Sequence, residues 1–174
     1  MRETLTVARH SMFEFAGGEP AFLALAAAHH RRCLEDPELN HPFSHLGNPQ
    51  HVERLADYWA EVFGGPTRYS ESFGGHSAML EIHARQGAGE DLGARFVACF
   101  VQAADDAGLP DDLDLRAGLR AYMEWAVAEV LSYSSPEARV AAGLPVPHWG
   151  WNGLESASSP AAVRDRDGDG STVT

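Results

Sequence analysis

From Pro20 to about Leu34 the chain is rich in Ala and Leu with no internal breaker, which predicts a helix. Phe22, Ala26 and His30 recur on one face of it, with Leu23 and Ala27 beside them. Pro20 suits its first turn, where a missing N–H is not needed. Ahead of it, residues 1–12 carry no strong pattern and read as a loose arm or short helix, and Phe13 to Glu19 as a turn around Gly17-Gly18. Asp36-Pro37 interrupts the pattern; Pro37 to Phe43 reads as a short helical turn and Phe43 to Asn48 as a connector. Asn48-Pro49, a cap followed by proline, opens a helix to about Phe63 with His51, Leu55, Tyr58 or Trp59, and Val62 inward. Gly64 to Gly75 reads as a polar loop. After it a short helix carries Met79, Leu80, Ile82 and His83 near the i, i+3, i+4 spacing of a buried face.

Gln86 to Gly89 breaks that segment, and Glu90-Asp91 place acidic residues at the start of the next helix, where its dipole favours them. This helix runs to about Ala107 with Leu92, Phe96, Cys99 or Phe100, and Ala103 as its stripe. Gly108 stops it, and Pro110-Asp111-Asp112 opens a last long helix to about Tyr133, with Leu115, Leu119, Met123, Ala126 and Val130 inward. Residues 136–144 read as one or two further helical turns. Val146 to Leu154, with Trp149 and Trp151, reads as an extension packing back on the body, and the Ser-, Gly- and Asp-rich residues 155–174 as a disordered tail. No stretch alternates apolar and polar positions as a strand would, so the predicted class is all-α.

The length of 174 residues implies one domain with an appendage, and 44% hydrophobic residues suffice for a substantial core. Two cysteines cannot build a disulfide framework, no hydrophobic leader is evident, and no apolar run approaches the roughly 20 residues needed to cross a bilayer. A soluble, cytoplasmic protein is the expectation. The net charge of −12 argues against a nucleic-acid partner. Nine histidines are many for this length. His83, on an apolar segment, either completes a buried polar network or points a ring nitrogen at a metal or cofactor. His76 lies seven residues earlier and reads as a helix-start cap, with a bis-histidine metal site as the sharper alternative. His41 and His45 have metal-pair spacing, but Pro42 between them favours a surface pair.

Several pieces together carry a family resemblance. The GGEPAF opening of the first long helix is followed by EDPELNHPF, then YWAEVFGGPTRYSE, then the HSAMLEIH segment and a helix ending in DAGLP. Over roughly residues 14–132 the chain resembles the truncated haemoglobins, most closely their second group. The resemblance implies a shortened, 2-on-2 globin fold in which two antiparallel helix pairs sandwich haem b. It implies His83 as proximal iron ligand, with Met79 and Ile82 keeping the porphyrin dry. Opposite, it implies His30 (with His29 the neighbouring alternative) where the family has tyrosine, and His51 over the iron with Leu55 one turn on. It further implies Phe43 at the porphyrin edge, Phe96 where second-group members carry tryptophan, and Met123 in the haem wall. His51 or His30 is a candidate distal ligand of ferric iron, and Arg54, Arg68 and Tyr69 are candidate propionate partners. The implied function is binding of O2 or another diatomic ligand. The alternatives are a haem oxidoreductase acting on peroxide or reactive nitrogen species, with a reductase as electron donor, and a haem-free helical adaptor. Either a monomer or a homodimer is compatible.

Overall fold

A computed structural model describes residues 9–44 and 49–155, apart from the side chains of Phe43 and Ser44. The helices are α1 (Met12–Ala16), α2 (Glu19–Glu35), α3 (Asn40–Ser44), α4 (His51–Val62), α5 (Arg68–Phe73), α6 (Gly75–His83), α7 (Glu90–Asp106) and α8 (Leu113–Ser132). A hairpin of two short strands, β1 (His148–Gly150) and β2 (Gly153–Glu155), follows. Helix α2 packs on α4 and α7, and α7 packs on α8. The core lies among them: Phe22, Leu25, Val62, Phe63, Phe100, Leu115, Leu119 and Tyr122 are all fully or nearly fully buried. Each such aliphatic or Phe side chain contributes about 1.5–3 kcal/mol through burial. The contact of α7 with α8 is close because residue 93 is glycine. A Cβ there would come within 2.6 Å of Val127 Cγ1. No described helix is long and apolar enough to cross a membrane.

The structure departs from the sequence reading at several places, each with a local cause. Met12–Ala16 is a helix rather than a turn: the Ser11 hydroxyl accepts from the Glu14 amide, and Met12 and Ala16 are buried. A short helix, α5, stands inside the loop expected over Gly64 to Gly75. Its start is held by the buried Glu61 carboxylate, which accepts the Ser70 N–H at 3.0 Å and also its hydroxyl. Residues 136–144 form turns instead of helix, because their backbone serves α6. The Leu144 carbonyl accepts from His76 N, the Ala141 carbonyl from the Ser77 hydroxyl, and Leu144 N donates to that same hydroxyl. The hairpin is the one strand-like element among the described residues. Its two-residue turn is Trp151-Asn152, and Gly153, at φ 97°, opens the second strand, a pairing too short for period counting to find. Helix α4 begins at His51 with Gln50 as its cap. The predicted Asn48 cap, the rest of the 45–48 connector, the arm at 1–8 and the tail from 156 onward lie outside the described residues.

Candidate functional site

Helix α6 is aimed by the turn before it, where Gly74 and Gly75 take φ of 86° and 72°, the left-handed region glycine enters without strain. Leu80 anchors the helix in the core. One turn on, the ring of His83 lies 2.8 Å from the Met79 carbonyl through Nδ1. A carbonyl can only accept, so Nδ1 carries a proton, which in the neutral ring leaves the lone pair on Nε2. The backbone after His83 is fixed tightly. Arg85 is a non-glycine residue at φ 63°, held by its N–H on the Tyr133 carbonyl and its guanidinium on the Ala138 carbonyl at 2.9 Å. The face expected to be buried is only partly so: Leu80 is enclosed and Met79 half-buried, while Ile82 is 56% exposed and His83 is exposed. Helical spacing placed these residues on one side. The three-dimensional packing covers only its N-terminal part.

His30 on α2 and His51 on α4 face each other, with ring centroids 5.4 Å apart. Burial lowers the proton affinity of both. For His51 the value falls to about 4, through desolvation first and then the charges of His30, His83 and Arg54. His83 is thus within electrostatic range of His51. At neutral pH the two α2–α4 imidazoles are therefore uncharged, each with one N–H and one lone pair. His29, by contrast, turns into the core. Its ring stands edge-on to Phe96 at 4.4 Å and to Trp59 at 5.3 Å, and its Nε2 is 3.5 Å from Cys33 Sγ. Of the two adjacent histidines, His30 is the one that looks toward His51.

Helices α2 and α4 thus bring two neutral imidazoles together, and α6 ends in a tautomer-fixed one, in a fold of α2 and α4 against α7 and α8. The profile of the bacterial-like globins matches residues 11–129. The chain belongs to the bacterial-like globin family. Solved structures agree, each over 70% of this globin's length. A thermostable haemoglobin from the actinobacterium Thermobifida fusca is 28% identical, with a TM-score of 0.59 and 96% of its own chain covered. The haemoglobin of the phototroph Chloroflexus aurantiacus is 24% identical, with a TM-score of 0.61 and 98% covered. The group II truncated haemoglobin of Bacillus anthracis is 20% identical, with a TM-score of 0.62 and 96% covered. The last two share the fold alone. The globin has the truncated, 2-on-2 form, and group II members are among its structural neighbours. No curated protein sequence matches it.

The remaining site candidates of the globin are scattered. Leu55 is half-buried one turn after His51. Arg54 stacks over Phe73 at 4.5 Å and acts electrostatically on Tyr69; Tyr69 itself is buried and edge-on to Tyr58. Arg68, the third candidate propionate partner, is bonded to Glu19. Its two guanidinium nitrogens bond both oxygens of Glu19 at 2.6 and 2.8 Å, in a groove floored by Phe13 and Phe22. Phe96 is half-buried where the two apolar clusters meet, and Met123 is enclosed in the larger cluster. The Phe43 side chain lies outside the described residues. His76 departs from expectation. It stands at the helix start but its side chain caps nothing; it is 4% exposed and bonded to Tyr58 and Glu129. Its seven-residue offset from His83 was legible in the sequence, whereas its partners on α4 and α8 were not.

Proposed function

We propose that this globin holds haem b between the end of α6 and the α2–α4 face, with His83 as the axial ligand of the iron, and binds O2 or another diatomic ligand on the opposite side. The observation that carries this is the bond of His83 Nδ1 to the Met79 carbonyl. It fixes the neutral tautomer whose Nε2 lone pair an iron ion requires, and it raises the basicity of that nitrogen. The residues nearby fit the group: Met79, Ile82, Leu55 and Phe96 offer apolar surface to a porphyrin, and the open Ile82 side chain is the kind that a flat apolar group covers. When bound, haem supplies a coordination position for a small diatomic molecule. His51 and His30 then each offer a neutral N–H toward that position, where a donor stabilises partial negative charge on the ligand and slows its release. His51 is also the candidate sixth ligand in the ferric state. Arg54, together with Tyr69, is the pair we assign to a propionate at the mouth. The peroxide-directed alternative would use His51 as a base, for which its neutral state is also suited.

The test is an absorption series of the ferric, ferrous and ferrous-CO forms for the parent and for His83→Gly with and without imidazole. Haem uptake that weakens in the variant and recovers its ferrous-CO spectrum with imidazole is the expected result. A variant that takes up haem with unchanged spectrum and affinity would sink the assignment.

A further inference from the structure

One buried polar chain lies outside the distal and proximal groups. Tyr58 on α4 is 4% exposed, and its hydroxyl lies 2.7 Å from His76 Nδ1. The other nitrogen of that ring, Nε2, lies 3.0 and 3.1 Å from the carboxylate oxygens of Glu129 on α8. A carboxylate accepts, so Nε2 carries the proton, Nδ1 accepts, and the Tyr58 O–H donates to it. Tyr122, also buried, is close enough to Tyr58 for the two phenols to act on each other electrostatically. Burial together with Tyr122 and Glu129 holds the Tyr58 phenol well above its ordinary proton affinity, so the resting group is neutral.

From these contacts we propose that Tyr58 is a proton-coupled redox site, giving one electron to a one-electron oxidant while its phenolic proton crosses to His76 Nδ1. The balance is closed. The O–H bond of Tyr58 breaks, an N–H bond forms on His76, the oxidant gains the electron, and a neutral phenoxyl radical faces an imidazolium that Glu129 holds. Without the base, oxidation would leave a cation radical in an apolar core, which is strongly disfavoured. Among the tyrosines described, Tyr58 is the one whose hydroxyl bonds an imidazole. Among the described residues, no imidazole bonds the Tyr122 hydroxyl.

An aromatic route joins this site to the surface. The Tyr122 ring is 5.8 Å from Trp149 and 6.4 Å from Trp125, and those two indoles are 5.9 Å apart. Trp149 belongs to the hairpin, where it is 8% exposed, and Trp151 of the same turn region lies under the Arg9 guanidinium at 3.5 Å. An electron lost from Tyr58 can therefore be replaced from the hairpin side through Trp149 and Tyr122.

Full-length protein, before and after haemin addition, is oxidised with photogenerated tris(bipyridine)ruthenium(III) and followed by transient absorption and freeze-quenched EPR on ring-deuterated tyrosine. A neutral tyrosyl signal is expected in both preparations, so failure of the haem assignment would leave this one standing. It should vanish in Tyr58→Phe and persist in Tyr122→Phe. His76→Gly should slow its formation roughly 10²-fold, the usual scale for a positioned base, with recovery on adding imidazole. If that variant fails to fold by circular dichroism, Glu129→Gln, at a partly exposed position, carries the same test through a slowing of roughly tenfold. A tyrosyl signal retained in Tyr58→Phe, radicals confined to tryptophan, or an unchanged rate in the folded His76 and Glu129 variants would overturn the proposal.

Discussion

His29 makes the acid stability of this globin predictable. Its ring is fully enclosed among Phe96, Trp59, Phe100 and Cys33, and burial lowers its proton affinity from 6.5 to about 4, against a smaller opposing bond to the Phe96 carbonyl. The unfolded chain therefore binds a proton on this residue at a pH where the folded chain does not. Stability from this source is fully present above pH 6.5 and falls as pH drops toward about 4, because the unfolded state gains the proton first. At about 1.4 kcal/mol per pH unit, the whole effect is about 3 kcal/mol, of which about 2 kcal/mol has developed by pH ~4.5. His29→Leu keeps comparable bulk and removes the titration. Urea denaturation of parent and variant at pH 7 and pH ~4.5 isolates the term, since every other titrating group is common to both. The parent should lose about 2 kcal/mol more than the variant over that interval. Curves that fall in parallel would refute the reasoning and place the His29 ring in contact with water.

Three further outcomes follow from the same contacts. His51→Leu removes a donor facing His30, and in the haem-loaded protein O2 dissociation measured by stopped flow should quicken by roughly 10- to 100-fold, the equivalent of one hydrogen bond of about 1–3 kcal/mol; an unchanged rate would assign ligand stabilisation elsewhere. Gly93→Ala pushes a methyl within 2.6 Å of Val127 Cγ1 and should lower the denaturation free energy by about 1–3 kcal/mol, whereas a neutral result would mean that α7 and α8 separate freely. Arg68→Ala breaks surface pairs with Glu19 and Asp57, so stability should change by less than about 1 kcal/mol and haemin transfer to a competing apoprotein should keep its rate. A tenfold faster transfer would return Arg68 to the propionates.

Much of this architecture could be read along the chain because its signals are local. Glu19–Glu35 and Glu90–Asp106 carry good helix formers between clear stops, so their bounds fell within a residue or two of expectation. The ending of α6 at His83, and the carbonyl four residues back that selects its tautomer, both lie within one stretch of nine residues. Short elements were missed where their stability comes from elsewhere. Helix α5 depends on Glu61, and the turns at 136–144 depend on the backbone of α6. The hairpin pairs too few residues on each strand for periodicity to register.

What the sequence by itself determined was the number and type of the long helices and the presence of an imidazole at the end of a short apolar one, since propensity, capping and spacing act over a few residues. Which of His29 and His30 faces His51, the pairing of Arg68 with Glu19, and the burial of His76 between Tyr58 and Glu129 were decided only in three dimensions. Each depends on side chains at least 18 positions apart, and on the free energy of burying a polar group only where a distant partner meets it.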